Sequence, residues 1–256
     1  MAVTAEVRDR VGWITLDRPP ENRVDAAFLE ELYRCVGEVA EAEAAVAVIR
    51  SASDGFFSAG VDVVGFLERS PDENLAVCRR AHQVLGRFAD ESPLFVAAIA
   101  GHALGGGYEI ALACDIRIAA GGRYRIGLPD VALGLLPSAG GAHRLSRLVG
   151  PGRALDLVAT GRTVTPAEAE RIGMVDRLVP AAELDTAVAD LAAGLAAGAP
   201  LAVAAITRVV NDGIERSLAD ALDRDLEELA DLLASEDARE GMTAFTEQRP
   251  PSFNGR

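Results

Sequence analysis

The stretch whose reading decides the fold is Leu94–Asp115, LFVAAIAGHALGGGYEIALACD. Leu94–Ala100 is uninterrupted apolar sequence of strand length, as expected for a strand covered on both faces. Gly105, Gly106 and Gly107 then allow backbone conformations closed to other residues and a close approach to a ligand. A helix that begins at this turn presents unpaired N–H groups and a partial positive charge, which suit an oxyanion. Glu109 stands in its first turn, where a carboxylate reaches whatever carries that oxyanion. The segment therefore outlines an enzyme site: strand, glycine turn, helix and one acid.

Around it, strands and helices alternate. Ala5–Arg10 and Gly12–Leu16 read as a hairpin turning at Val11–Gly12, Ala26–Ala42 as a helix and Ala44–Arg50 as a strand. Ser51–Gly60 reads as a turn-rich loop before a longer helix at Asp72–Asp90. Tyr108–Ala113 is helical, Ile116–Ala119 and Tyr124–Gly127 are short strands, and Met174–Val179 is the last strand expected. Leu201–Ile214 and Leu218–Leu233 carry apolar residues at helical spacing. This order implies an α/β fold with a mostly parallel sheet, followed by a helical C-terminal part.

Composition bounds the function. The 256 residues suffice for a full core, and half of them are hydrophobic. No apolar run reaches the roughly 18 residues of a membrane-spanning helix, and Met1–Arg10 lacks a signal-peptide core. The net charge of −14 argues against nucleic acid as a partner. All 25 basic residues are arginine, which excludes a P-loop lysine, a Schiff-base lysine and a lysine general base. Cys35, Cys78 and Cys114 form no CxxC pair and fit reduced thiols in a cytoplasmic protein. His82, His102 and His143 lack metal-ligand spacing, so no metal site is expected.

Three blocks resemble the crotonase superfamily, the enoyl-CoA hydratase/isomerase family: FFSAGVDV at Phe56–Val63, AIAGHALGGGYEIALACDIRIA at Ala98–Ala119, and IGLPDVALGLLPSAGGAHRLSRLVG at Ile126–Gly150. ITLDRPPEN at Ile14–Asn22, EAERIGMVDRLVP and the closing SEDAREGMTAFTEQRPPSF extend the likeness over nearly the whole chain. The resemblance implies a crotonase-like spiral of β-β-α repeats over residues 1–195 and a helical oligomerisation region over 196–256. It implies trimers or hexamers and an acyl-CoA thioester as substrate, with no separate cofactor. By resemblance, Val61 and Gly106 supply the two N–H groups of an oxyanion hole, and Glu109 is a catalytic carboxylate. Asp130 stands where the hydratase pattern has a second glutamate, shorter by one C–C bond or about 1.5 Å. The alternative for both acids is helix capping. Arg23, Ala59, Gly60, Asp62, Val63 and Gly105 match the segments that surround CoA and the acyl thioester. The family's late lysine is replaced by Gln248, leaving Arg249 for any phosphate contact there.

The activity implied is hydration of a 2-enoyl-CoA; the alternatives are Δ3-Δ2-enoyl-CoA isomerisation, or an acyl-CoA-binding homologue with weak or lost activity. His82 falls where a dehalogenase branch carries a catalytic histidine, but the position of that branch's nucleophilic aspartate is Ser138. A dinucleotide-binding oxidoreductase lacks its second fingerprint glycine, since Ala103 stands there. A serine hydrolase lacks a G-x-S-x-G elbow.

Overall fold

The computed structural model describes residues 2–214 and 216–256. In chain order the elements begin with strands β1 (Val3–Arg8), β2 (Val11–Leu16) and β3 (Arg23–Val24) and helix α1 (Ala26–Glu41). Strands β4 (Val46–Ser51), β5 (Phe56–Ser58) and β6 (Gly60–Val61) precede helices α2 (Val63–Glu68) and α3 (Pro71–Asp90). Strands β7 (Leu94–Ile99) and β8 (His102–Leu104) lead into α4 (Gly106–Ala113). Strands β9 (Ile116–Ala120) and β10 (Ile126–Gly127) lead through a 3₁₀ turn at Asp130–Leu133 into α5 (Gly141–Val149), α6 (Pro151–Thr160) and α7 (Pro166–Ile172). Strand β11 (Arg177–Val179) is followed by α8 (Leu184–Ala197), α9 (Pro200–Gly213), α10 (Leu218–Leu233) and α11 (Glu236–Glu247).

The main sheet has the order β1-β2-β4-β7-β9-β11, parallel except for the β1–β2 hairpin. A parallel three-stranded sheet, β10-β8-β5, and the pair β3-β6 lie beside it. Successive β-β-α units thus place one strand in the large sheet and the next in a small one, the spiral of repeats expected from the sequence. Strand alternation splits the core into two layers. Ala47, Ile49, Ala97, Ile99 and Ala119 join the layer under α1, α3 and α4. Val46, Val48, Val96, Ala98 and Ile118 pack against Leu184, Val188, Ala192 and Ala196 of α8. Both faces are covered, which is why these strands read as continuous apolar runs. No single helix among the described residues is long and apolar enough to cross a membrane.

Local chemistry explains the departures from the sequence reading. The first hairpin turns at Asp9–Arg10, both at positive φ, in a two-residue loop whose hydrogen-bonded neighbours are Arg8 and Val11. Gly12 instead makes room for α1, because a Cβ there would stand 2.8 Å from Val39 Cγ1. The stretch Ser51–Gly60 is not all loop: it holds β5 and the first residue of β6. The apolar strand stops at Ile99 and does not run into the glycine turn. The chain bends at Gly101, where a Cβ would meet the Gly55 carbonyl carbon at 2.3 Å, and β8 intervenes. The strands expected at Tyr124–Gly127 and Met174–Val179 shorten to Ile126–Gly127 and Arg177–Val179. Helix α3 starts where a capping box places it: Ser70 Oγ accepts from the Glu73 N–H, and Glu73 accepts from the Ser70 N–H.

A fully buried asparagine joins the sheets. Asn22 Nδ2 donates to Ser51 Oγ at 2.8 Å and to the Phe57 carbonyl at 3.0 Å, while Oδ1 accepts from the Arg18 N–H at 2.7 Å. Its own carbonyl accepts from Ser58 Oγ at 2.7 Å. It sits at φ 50°, a conformation asparagine tolerates better than most residues. Asn22→Ala strips Ser51 Oγ, the Phe57 carbonyl and the Arg18 N–H of their bonds to this side chain, where each orphaned buried polar group costs about 1–3 kcal/mol. Urea denaturation is expected to show a loss of about 3 kcal/mol or more; a midpoint equal to that of the unmutated protein contradicts this role.

Candidate active site

The site is built where the glycine turn at 105–107 meets the strand segment 58–61. The contact is backbone on backbone. A Cβ on Gly107 would stand 2.3 Å from the Ser58 carbonyl oxygen, and one on Gly60 would stand 2.5 Å from the Leu104 oxygen and 3.1 Å from the Gly106 nitrogen. Gly105 takes φ 50° and ψ −126°, which a side chain would strain.

This approach brings two N–H groups together. Gly106 is the first residue of α4, so its N–H has no intrahelical acceptor. Around Val61, the Ala59 N–H bonds the Glu21 carbonyl, the Gly60 N–H bonds Ser58 Oγ and the Asp62 N–H bonds the Val24 carbonyl. Strand alternation turns the Val61 amide to the other side, toward Gly106. The space in front of both belongs to the missing Gly106 side chain: a Cβ there would lie 3.7 Å from Val61 N and 4.0 Å from Glu109 Oε2. It clashes with nothing, so what Gly106 leaves open is a small cleft walled by two donors and one carboxylate oxygen.

Glu109 is 2 % exposed and does not cap its own helix. Its Oε1 accepts from the Ala139 N–H at 2.7 Å and the Gly141 N–H at 2.8 Å. Gly141 must be glycine for this, since a Cβ would stand 2.7 Å from Glu109 Cγ. Burial raises the carboxyl from its ordinary value of 4.5 to about 7; the two amides and Arg144 oppose the rise, and the Asp130 charge adds to it. Asp130 opens the 3₁₀ turn after β10, and its carboxyl oxygens lie 3.5 and 3.6 Å from the position of a Cβ on Gly105. Its buried Oδ2 has no hydrogen-bond partner among the described residues. Burial raises this carboxyl too.

Val61, Gly106, Glu109 and Asp130 line one cavity of about 750 Å³. Its other walls are mostly apolar: Leu29, Phe66, Leu75, Ala81, Leu85 and Leu136 among them, with Asn74 as one of the few polar groups. Val63 also lines it, whereas Arg23, Ala59, Gly60, Asp62 and Gly105 stand outside its lining. Arg23 pairs with Glu21 at 2.7 Å and lies 3.8 Å from Asp62. Arg249 is held by Glu240 and Glu247, both at 2.7 Å. His102 packs against Phe56 and accepts from the Arg125 N–H, away from the acids. His82 Nε2 hydrogen-bonds the Ser138 carbonyl oxygen. No group of three or more His, Cys, Asp or Glu side chains among the described residues could hold a metal. The sequence reading missed Ala139 and Gly141 as the partners of Glu109, although both lie in the SAGG of the third family block.

Fold and site together define a crotonase-fold protein with a two-carboxylate cavity. The family model for enoyl-CoA hydratase/isomerase matches residues 6–256, and the chain belongs to that family. It is 34 % identical to the short-chain-enoyl-CoA hydratase of Clostridium acetobutylicum, across 96 % of this chain and 95 % of that one. The crystal structure of an enoyl-CoA hydratase from Geobacillus kaustophilus superposes with a TM-score of 0.98 at 36 % identity, covering 100 % of this chain and 97 % of that one. The enoyl-CoA hydratase from Bacillus anthracis gives 0.96 at 31 % identity, with both chains fully covered.

The raised Glu109 carboxyl has a stability consequence. Between about 4.5 and 7 it is neutral in the folded protein but ionised in the unfolded chain, so stability falls as pH rises through that window. Glu109→Gln keeps an acceptor for both amides and removes the titration. The variant is expected to gain about 2–3 kcal/mol over the unmutated protein between about pH 5 and pH 8. Denaturant midpoints that differ by the same amount at both pH values contradict the shift.

Proposed function

We propose that the chain adds water across the 2,3 double bond of a 2-enoyl-CoA, giving a 3-hydroxyacyl-CoA. The observation that carries this is the convergence of two free backbone N–H groups and two carboxyls in one apolar cavity of a protein 34 % identical to a named hydratase over nearly its full length. The thioester oxygen takes the cleft left by Gly106, between the N–H groups of Val61 and Gly106. As the water oxygen bonds C3, the C2–C3 π electrons move toward C1 and the thioester oxygen takes up the charge as an enolate. Fixed donors aimed at such charge are typically worth about 2.7–4 kcal/mol each. The carboxyl pair handles the protons: one member, ionised, takes a proton from water, and the other, neutral, delivers one to C2. Burial raises both acids and the Asp130 charge adds to the rise at Glu109, which suits a pair that holds one proton between them.

The apolar stripe of α3, through Leu75, Cys78, Ala81 and Leu85, supports an aliphatic acyl group. Arg23, Ala59, Gly60, Asp62, Val63 and Gly105 are assigned to the surroundings of CoA and the thioester by their match to the family's segments. The free thiols Cys35, Cys78 and Cys114 support a reducing, cytoplasmic setting. Isomerisation of a 3-enoyl-CoA is the second reading. It is favoured by one observation: Glu109 is anchored by two amides, while the shorter Asp130 is not.

Asp130 separates the two. Hydration needs both acids, so Asp130→Asn is expected to slow hydration of crotonyl-CoA by about 100-fold or more, while Asp130→Glu keeps or raises it. Full hydration by Asp130→Asn overturns the two-carboxylate mechanism. A wild type that converts 3-enoyl to 2-enoyl thioesters without hydrating them establishes the isomerase.

Assembly into trimers or hexamers is part of the same proposal. Leu218, Leu222, Leu226, Leu229 and Leu233 form one stripe on α10 at three- and four-residue spacing, and all are exposed in the single chain, as are Ile206 and Val210 on α9. An apolar stripe of this extent supports burial against further copies. Light scattering is expected to give a multiple of the chain mass; a stable monomer at micromolar concentration contradicts it.

A further inference from the structure

The loop that holds Glu109 is a wall between two cavities. Ser138 and Ala139 line the catalytic cavity on one side and a second one, of about 780 Å³, on the other. From that second side two cationic or protonatable side chains grip the loop. His82, on α3, bonds the carbonyl of Ser138, which belongs to the same peptide as the Ala139 N–H that Glu109 uses. Arg144, on α5, donates from Nη1 to the Ala139 carbonyl at 2.8 Å and from Nη2 to the Leu85 carbonyl of α3 at 3.3 Å.

The Ala139–Gly140 peptide lies between the two amides that bind Glu109 Oε1. Its carbonyl is pulled outward by the guanidinium while its neighbours' N–H groups point inward to the carboxylate. Glycines permit both contacts. Gly140 takes φ 91°, and a Cβ on it would stand 2.6 Å from Arg144 Nη1; a Cβ on Gly141 would strike Glu109. The forked guanidinium reaches two carbonyls on two elements, which a single ammonium cannot match.

We propose that Arg144 is a positioning residue for Glu109: by pinning the Ala139–Gly140 peptide to α3 it aims the Ala139 and Gly141 amides at Oε1 and leaves Oε2 facing the reaction cleft. The inference rests on the reading of Glu109 as a catalytic acid–base group. It also has an electrostatic side. The groups facing Glu109 are Asp130 from the 3₁₀ turn, which pushes its carboxyl up, and Arg144 from α5, which holds it down. Cys78 of α3 lines the same cavity, His82 reaches the far side of the loop, and Arg147 and Cys114 act on Arg144. Removing the Arg144 charge therefore moves the Glu109 titration further upward.

The test compares Arg144→Met and Arg144→Lys with the wild type, each first shown to be folded by circular dichroism. Three readouts are used: kcat and KM for the enoyl-CoA substrate, the pH profile of kcat/KM, and the Glu109 carboxyl titration in substrate-free protein, assigned by difference from Glu109→Gln. Misplacement of a catalytic group by about 1 Å can cost some 100-fold, so Arg144→Met is expected to lose about 10- to 100-fold in kcat with KM little changed. Its acid limb and Glu109 titration move to higher pH. Arg144→Lys restores the titration and part of kcat. The proposal is overturned if folded Arg144→Met keeps wild-type kcat and an unmoved Glu109 titration. It is equally overturned if both variants lose activity alike while the titration stays put, because that pattern marks a role in folding only. A wild type inactive on every enoyl-CoA sinks the proposed function instead, and the substrate-free titration still decides the role of Arg144.

Discussion

The structure depends on one close approach, that of the glycine turn at 105–107 to the strand segment 58–61. Gly107 is pressed against the Ser58 carbonyl, and Gly60 against that of Leu104 just before the turn, at distances no side chain allows. This contact sets the first turn of α4 beside β6, so an N-terminal helix amide and an outward-facing strand amide point into one cleft. Everything specific to the site follows from it. The helix carries Glu109 to a fixed height above the cleft, and β10, paired with β8 just before the turn, delivers Asp130 alongside Gly105. Asn22 secures the other end by tying the ends of β2 and β4 to β5 through one side chain.

On the proposed mechanism, an acidic chain without lysine meets a developing negative charge with fixed dipoles rather than with one of its 25 arginines. The donors would be peptide N–H groups, which need no counter-charge and do not reorganise during a reaction. The same device serves the ground state: two further peptide N–H groups carry Glu109 Oε1. Even so, burial outweighs these bonds and leaves the carboxyl near neutrality. The folded protein thus keeps a destabilising acid where an amide would sit more comfortably, the kind of local conflict expected at a functional site and offset by the core elsewhere.

How much of this was legible in the sequence depended on the range of the interactions. The glycine turn, Glu109 and α4 were readable because a strand, a special-φ turn and a first-turn acid are local signals. Helix α10 carries its bounds in its sequence, since its leucine stripe has a strong helical period. The pattern of α3 likewise marks its end at Asp90, one residue being the only difference at its start. Strands β5, β8 and β10 were hidden or blurred. Two or three residues carry no usable period, and the Ser-Gly-rich composition of 51–60 signals turns whether or not a short strand lies inside. Asn22 and the Ala139 and Gly141 amides were invisible for a different reason. Their roles depend on partners 29 to 35 residues away, and nothing in their own neighbourhoods announces those partners.

The two acids differ in how they are held, and that difference organises the chemistry. Glu109 is fixed at both ends: by the helix that carries it and by a loop that is itself clasped from behind. Its position draws on several elements at once, through the bonds that join the loop to α4, α5 and α3. Asp130 hangs from a single 3₁₀ turn, and its buried Oδ2 has no hydrogen-bond partner among the described residues. A group held so lightly can change length or give up its proton without unsettling the fold. On the proposed mechanism, Glu109 and the two cleft amides supply what hydration and isomerisation have in common, the enolate and one proton transfer. Asp130 supplies what divides them, a second proton transfer at the distance of a bound water. The shortened acid therefore sits at the one point of the site where the structure leaves the reaction open to adjustment.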